Sequence, residues 1–367
     1  MVSDKIISIK KKKKRTLSSS SSPSLPILPF DLIPEILSRL PVKSLLQFRC
    51  VCKSWKSLIS DSKFANKHLT LSTMHTLHCI SYRHNVHVLL KSYSLDYVLT
   101  NITQTQFPSS DSNVLLVGSC NGILFLVSDG KDLVQLQLWN PSIRKFKELP
   151  PISKPHRFAG IYGFGYDPIS DNYKVVVVSS DLTRGDFNKN ELKLHTLGTD
   201  SWKSVSEFPF AIVYAQPLGQ YVSGTINWLV FMGIKRFIAS FDLGNECYRE
   251  VLLPDDSGQV YKNKLSLSVL RDCLCMISGE DVWVMKEYGN KESWTKLFTI
   301  SYMLDPRASS YSYIKAGYVL DEQVLLTYKE DKRWGHISYN YKDDTSKFIE
   351  LENFPKVCVE SLISPCF

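Results

Sequence analysis

One unit of strand, polar turn, aromatic residue and strand recurs five times between residues 138 and 351. Its copies are LWNPSIRKFKELP, LHTLGTDSWKSVSEFP, FDLGNECYREVLLP, VMKEYGNKESWTKLF and YNYKDDTSKFIEL, and their aromatics, Phe146, Trp202, Tyr248, Trp294 and Phe348, stand 56, 46, 46 and 54 residues apart. Another strand pair precedes each copy, as in GFGYDPISDNYKVVVV, YVSGTINWLV, LSVLRDCLCMIS and GYVLDEQVLLTY. Four strands in a repeat of this length suit one blade of a β-propeller, where each sheet hides its faces against its neighbours. Period-two alternation agrees: Val134, Leu136 and Leu138; Leu192 and Leu194; Val282 and Val284; Ile337, Tyr339 and Tyr341. After residue 76 no stretch keeps a helical period. Five blades are visible in this way. A sixth follows if the hairpin from about Leu77 to Tyr93 pairs with a C-terminal strand near Val359 to Ile363, and such a closed ring has no free sheet edge.

In an up-and-down meander every second connection lies at the same end of the strands. The short turns Asn140 to Arg144, Gly198 to Ser201, Gly244 to Cys247 and Asp343 to Ser346 fall at one end. The long segments Pro150 to Gly160, Ser179 to Asn190, Phe208 to Gly219, Pro254 to Asn263 and Ile300 to Ile314 fall at the other. Recognition usually sits on long loops carried by a rigid frame. This end bears Arg157, Phe158, Tyr214, Tyr302, Arg307, Tyr311, Arg333 and Trp334, the arginine and aromatic types that dominate binding energies. These eight are the candidate target-binding residues; each is equally able to pack its loop onto the ring.

The N-terminal part is different. Residues 1–27 hold Lys5, the run Lys10 to Lys14, Arg15 and Ser18 to Ser22, a composition too poor in apolar groups to repay the entropy of ordering, so this tail is expected to be disordered. It carries +6 of the chain's net +8, leaving +2 on the other 340 residues. No basic field therefore covers the folded part, and nucleic acid is not expected as a partner. No window approaches the roughly 20 apolar residues of a membrane-spanning helix, so the chain reads as soluble with no membrane partner. Nine cysteines at irregular spacings, with no leader-like apolar segment, read as a reduced, intracellular protein.

From residue 28 to about 70 the spacing turns helical. Leu32, Ile33, Ile36, Leu37 and Leu40 make one apolar stripe behind a possible Asp31 cap, with Pro34 tolerated in the first turn and Pro41 as the stop. Leu45, Leu46, Phe48, Val51, Cys52, Trp55, Leu58 and Ile59 supply two more short helices. Three helices of this size cannot hide so many large apolar side chains, and the surplus implies a partner.

The segment LPFDLIPEILSRLPVKSLLQFRCVCKSWKSLISDSKFANKHL resembles the F-box, in its plant form, across essentially its whole length. The resemblance implies docking onto the Skp-type adaptor of a cullin-based ubiquitin ligase through Leu28, Pro29, Leu32, Ile36, Leu40, Pro41 and Val42. Leu45, Leu46, Val51 and Trp55 also match the motif and are assigned to the module's core and the rest of the adaptor contact. Gln47 replaces a basic residue common in the family. From about Leu77 to Pro365 the repeats, with GSCNGILFL before them and VESLISP after, resemble the F-box-associated, kelch-like region of plant F-box proteins, although the double glycine of true kelch repeats is missing. The expected layout is a tail (1–27), an F-box (28–70), a linker with the first hairpin (71–110) and the F-box-associated domain (111–367). The fold class expected is a small all-α module followed by an all-β, propeller-like domain of about six blades.

Several short motifs have the outline of chemical sites but not the local pattern those sites need. Gly118-Ser119-Cys120-Asn121-Gly122 has the outline of a nucleophile elbow, but strand residues Ile123 to Val127 follow instead of a helix, so a hairpin turn is preferred. Gly163-Phe164-Gly165 lacks the third glycine and the helix of a dinucleotide loop. His75, His78, His84 and His87 form two H-x-x-H pairs, yet i and i+3 on a strand face opposite ways, and no metal is expected. Cys50/Cys52 and Cys273/Cys275 lack zinc-knuckle spacing, and the Asp255/Asp256 and Asp343/Asp344 pairs sit in polar turns that would not raise a carboxylate pKa.

The reading is a non-catalytic substrate receptor without cofactor. Its F-box holds the adaptor, and through it the cullin and RING subunits, while the ring holds a protein target, in nucleus or cytoplasm. Two alternatives stay open: a propeller-fold enzyme, oxidase or hydrolase, and an adaptor-binding scaffold that does not ubiquitinate.

Overall fold

The computed structural model describes residues 32–72, 75–83, 87–94, 102–106, 114–154, 158–181, 190–205, 208–210, 212, 215–254, 265–300, 313–320, 322–330, 333–351, 353 and 355–366. Four short helices come first among them: α1 (Leu32–Leu37), α2 (Val42–Phe48), α3 (Lys53–Ile59) and α4 (Ser62–Leu71). Pro34 sits in the first turn of α1, its carbonyl accepting from Ser38 N at 3.0 Å, and Pro41 is the N-cap of α2. Asp31 and the expected cap lie outside the described residues. The fourth helix is an addition to the three expected. Asp61 caps it, Oδ1 accepting from Lys63 N at 2.9 Å and Phe64 N at 3.1 Å, and Phe64, Ala65, His68 and Leu69 line one face at helical spacing. Buried His68 ties it back by donating Nε2–H to Leu40 O at 2.9 Å.

The remaining described strands form six sheets. The first blade contains β1 (His75–Arg83), β2 (His87–Ser94) and β3 (Ile102–Gln106). Blade two is β4 (Val114–Cys120), β5 (Ile123–Asp129), β6 (Leu133–Asn140) and β7 (Lys145–Glu148), with the two-residue β8 (Ile152–Ser153) added on β6. Blade three is β9 (Phe158–Asp167), β10 (Asn172–Asp181), β11 (Asn190–Thr196) and β12 (Lys203–Val205). Blade four is β13 (Gln220–Val222), β14 (Thr225–Met232), β15 (Lys235–Asp242) and β16 (Cys247–Val251). Blade five is β17 (Leu265–Leu270), β18 (Cys273–Ser278), β19 (Asp281–Met285) and β20 (Trp294–Thr299). Blade six is β21 (Tyr313–Leu320), β22 (Gln323–Glu330), β23 (Arg333–Asn340) and β24 (Thr345–Phe348). The last strand, β25 (Lys356–Val359), returns to pair with β1 from His75↔Val359 to His78↔Lys356, giving blade one its fourth strand and closing the ring.

Closure was expected from Val359 to Ile363, and the structure moves the strand upstream. Asn140 explains why: its Nδ2 donates to Ser361 O at 3.1 Å and Ile363 O at 2.8 Å, drawing the chain off the β1 ladder and across blade two. Ser361 Oγ then donates to Asn121 O at 2.7 Å. The first hairpin is thus a blade of the ring, not an appendage to it.

The cores lie between blades. Along Val175 to Val178, Val175 and Val177 pack toward blade two while Val176 and Val178 pack toward blade four, so a strand buried on both faces reads as an unbroken apolar run. The repeat aromatics link neighbours: Trp202 Nε1 donates to Pro150 O at 2.9 Å and Trp294 Nε1 to Leu252 O at 3.0 Å, each reaching into the preceding blade. Gly163 and Gly165 have a packing role, since a Cβ there would stand 2.4 Å from Ile226 and 2.1 Å from Tyr221. A buried ion pair within blade three also ties it to blade four: Lys174 Nζ lies 2.9 Å from Asp167 Oδ2 and donates across to Leu243 O at 2.7 Å. Burial pushes the Asp167 carboxyl upward, but bonds from Ser170, Lys174 and the Ile169 amide outweigh it and hold the pKa below its ordinary value.

Two histidines make the ring acid-sensitive. His78 meets Ser92 Oγ at 2.8 Å and His336 meets Thr327 Oγ1 at 3.1 Å, and burial pushes both imidazoles down to about 4. In the unfolded chain they protonate near 6.5, so between those values acid charges the unfolded state first. Their contribution is complete above pH 6.5 and is lost as pH falls toward 4, about 3 kcal/mol for each. Urea midpoints measured across that window should fall, and His336→Gln should flatten the slope; an unchanged slope would show that His336 does not titrate there.

Candidate functional site: the two ends of the ring

The helical module presents its apolar stripe in two halves. Leu32 and Ile36, one turn apart on α1, are 47% and 46% exposed, and Val51, between α2 and α3, is 62% exposed. Ile33 and Leu37 turn the other way into a core shared with Phe64, Leu362, Ile363 and side chains of blades two and three. Large aliphatic groups held in water on helices of six or seven residues mark a surface made for a partner. Pro41 is exposed, while Leu40, Leu46 and Trp55 are half-buried, Trp55 meeting Phe48 edge-on at 5.5 Å. Val42 corrects an expectation. The F-box resemblance implies an adaptor contact for it, but at 1% exposure it lies in the core, as does Leu45 at 0%; the first turn of α2 points at the rest of the module. Leu28 and Pro29 lie outside the described residues.

Strand order fixes where the module stands. β1 is the second strand of its blade, so it starts at the tight-turn end, four residues after α4 stops at Leu71. Ser72 Oγ donates to Glu360 O at 3.3 Å, and Leu362 and Ile363 form the seat for the helices. The turns at this end include Asn121-Gly122, both at positive φ (50° and 85°) as a two-residue hairpin requires. Asp242 and Asn340 shape others, each accepting from two turn amides through Oδ1. The strand ends that flank the five long segments lie at the opposite end, a strand length of roughly 20–30 Å away, while the connection from β19 to β20, residues 286–293, stays at the tight-turn end.

Of the eight target-face candidates, Arg157, Tyr214, Tyr302, Arg307 and Tyr311 lie outside the described residues. Phe158 and Arg333 open β9 and β23 at the long-loop end, and only their backbone is described. Trp334 is half-buried, with Lys329 Nζ 5.4 Å from its ring centroid. The structure adds aliphatic residues that the search for aromatics and arginines passed over. Ile234 is 100% exposed at the tip of the β14–β15 hairpin beside Met232 at 43%, and Leu115, Leu133 and Leu252, 43%, 43% and 51% exposed, stand at the same end. The signal was present as Met232-Gly233-Ile234, an apolar hairpin tip where a polar one is usual.

The discounted motifs resolve into structure. Cys120 is buried, and desolvation raises its thiol pKa, the opposite of an activated nucleophile. Neutral His78 is bonded to Ser92, the described residues contain no cluster of metal-ligating side chains, and the nine cysteines form no disulfide. His84 and Asp255/Asp256 lie outside the described residues. Asp344 accepts from Tyr339 OH at 2.8 Å and Asp343 from Asn340 Nδ2 at 3.1 Å, a turn held from within.

A short helical module with an apolar outer face is thus seated at one end of a six-bladed ring. The chain matches the F-box domain over residues 25–67 and the F-box associated beta propeller domain over residues 70–365, and it belongs to the plant F-box proteins that carry this propeller. The F-box/kelch-repeat protein At3g23880 of Arabidopsis thaliana is 34% identical over 366 residues, covering 92% of this chain and 96% of that protein. The F-box protein CPR1 of the same plant is 30% identical over 343 residues, covering 83% of this chain and 78% of that one. Among solved structures, TolB from Acinetobacter baumannii is similar with a TM-score of 0.50 at 12% identity, over 81% of this chain and 70% of that chain, a likeness of fold alone.

Proposed function

We propose that this chain is the substrate-recognition subunit of an SCF-type (Skp-cullin-F-box) ubiquitin ligase. The carrying observation is the polarity of the molecule: Leu32, Ile36 and Val51 are exposed on the F-box, which is seated at the tight-turn end, and the long connections gather at the far end of the ring. In this reading the F-box binds a Skp-type adaptor, which joins it to the cullin and RING subunits. The ring holds a protein target by its long-loop end, raising the effective concentration of the target's lysines at the conjugating enzyme. The chain forms no covalent intermediate and works by proximity. Nucleus and cytoplasm are the compartments proposed, the run Lys10 to Arg15 supplying a motif that an import receptor reads.

The target face is tested by Ile234→Asp combined with Trp334→Ala. Proximity labelling in plant cells, comparing this variant with the unmodified chain, should show candidate targets reduced about tenfold while recovery of the adaptor stays constant. Targets captured equally by both chains would move recognition away from this end. Reconstituted ubiquitination of a captured target then separates a ligase receptor from a scaffold that only sequesters.

A further inference from the structure

The small positive charge of residues 28–367 is divided unevenly. Residues 32–72, the helical module, hold seven Lys and Arg against two carboxylates, a net charge of +5, while residues 73–367 sum to −2. Both carboxylates of the module are engaged: Glu35 pairs with Lys67, and Asp61 Oδ1 caps α4. Arg39, Lys43, Lys53 and Lys56 stand exposed, and among the described residues Lys43, Lys53 and Lys56 form no ion pair.

These cations border the apolar surface of the module. Arg39 follows Ile36 by one turn, its amide donating to Ile36 O at 3.2 Å. Lys43 comes two residues after exposed Pro41, in the first turn of α2, and Lys53 two residues after exposed Val51, with Lys56 one turn further along α3. Ile36, Pro41 and Val51 thus each have a cation within one turn, the apolar centre and charged rim of a protein interface. The helices gain nothing from it. The N-terminal end of a helix carries partial positive charge, so lysine in a first turn is locally unfavourable, and neither α2 nor α3 has an acidic residue there. Lys53 and Lys56, three residues apart, add repulsion. Such a cost on an exposed face is recovered when a surface of opposite charge covers it.

We infer that the partner covering Leu32, Ile36 and Val51 is acidic, an apolar groove edged by Asp and Glu carboxylates, and that Lys43, Lys53 and Lys56 steer its approach. The inference rests on the ligase reading, in which that partner is a Skp-type adaptor. Rim charges act across a Debye length during encounter and set the association rate, whereas the apolar anchors set the lifetime of the complex.

Surface plasmon resonance of the full chain with a purified Skp-type adaptor tests this. Between about 50 and 300 mM sodium chloride the association rate should fall about tenfold, with the dissociation rate nearly constant. Lys43→Glu combined with Lys53→Glu should slow association about tenfold at the low-salt end and remove most of the salt dependence. Folding is not at risk, since carboxylates suit the first turns of α2 and α3. Lys131→Glu with Lys347→Glu, exposed on blades two and six, changes net charge equally away from the module and should leave the rate within about twofold. Adaptor binding whose association rate responds neither to salt nor to the Lys43 and Lys53 substitutions overturns the inference and leaves the ligase reading intact. No binding by the unmodified chain at any salt removes both. Binding to phosphatidylserine vesicles that is lost on those substitutions, with adaptor association unchanged, assigns the basic rim to a membrane instead.

Discussion

Replacing Leu32 and Ile36 with aspartate should abolish binding to a Skp-type adaptor, a loss of a hundredfold or more, with the chain still folded. Both side chains are close to half exposed on one face of α1, so neither supports the interior, and both suit an apolar contact. A buried apolar anchor contributes about 2 kcal/mol or more when truncated, and a carboxylate forced into its pocket adds the cost of desolvating a charge. Leu45→Ala gives the contrast. Leu45 is fully buried, and its truncation costs about 2–5 kcal/mol, which a module this small cannot absorb. Pull-down and circular dichroism on both variants separate the causes: adaptor binding lost with the helices intact for the double aspartate, and lost with the helices for Leu45→Ala. Adaptor binding retained by the double aspartate chain would remove α1 from the interface and undercut the ligase reading.

A chain ending at Pro355 should lose the cooperative fold of the ring. It lacks β25, the inner strand of blade one, and with it the ladder to β1 and the bond from Ser119 Oγ to Val357 O at 2.6 Å. It also lacks Ser361 and Ile363, leaving Asn140 Nδ2 and Asn121 O without those partners, and Leu362, the rest of the F-box seat. The edge of β1 that β25 had covered then becomes a site for aggregation. Asn140→Ala is the milder probe. It strips partners from Ser361 O, Ile363 O and the Ser142 amide at once, for about 2–4 kcal/mol. Thermal unfolding followed by near-ultraviolet circular dichroism reads both. A truncated chain melting sharply within a few degrees of the full one would mean that the ring does not depend on its closing strand.

Much of this architecture is readable before any coordinate. The four-stranded repeat, the Asn121-Gly122 hairpin and the sorting of turns by length each rest on neighbouring residues, and the strands fall where alternation placed them. The fourth helix was equally legible in the Asp61 cap and the spacing of Phe64, Ala65, His68 and Leu69, a single polar-faced stripe overshadowed by the richer helices before it. On the target face, choosing residues by type favoured arginine and aromatics. Whether a given Leu or Ile stands in water depends on where its hairpin ends, as the fully exposed Ile234 shows.

What the sequence determines by itself is local and periodic: five blades' worth of strands and the first hairpin of a sixth, a short helical module in the F-box pattern, and the parity that sets the named long segments opposite the tight turns. What only the tertiary structure decides is which of two equally apolar faces turns inward. Leu32, Ile33, Ile36 and Leu37 are interchangeable by hydrophobicity, and the seat built by Leu362 and Ile363, more than three hundred residues downstream, selects Ile33 and Leu37 for the core. The same holds for Val42 turning into that core and for the end of β25 set by Asn140. In each case the partners are far apart along the chain, and ring closure, a long-range event with no local signature, brings them together.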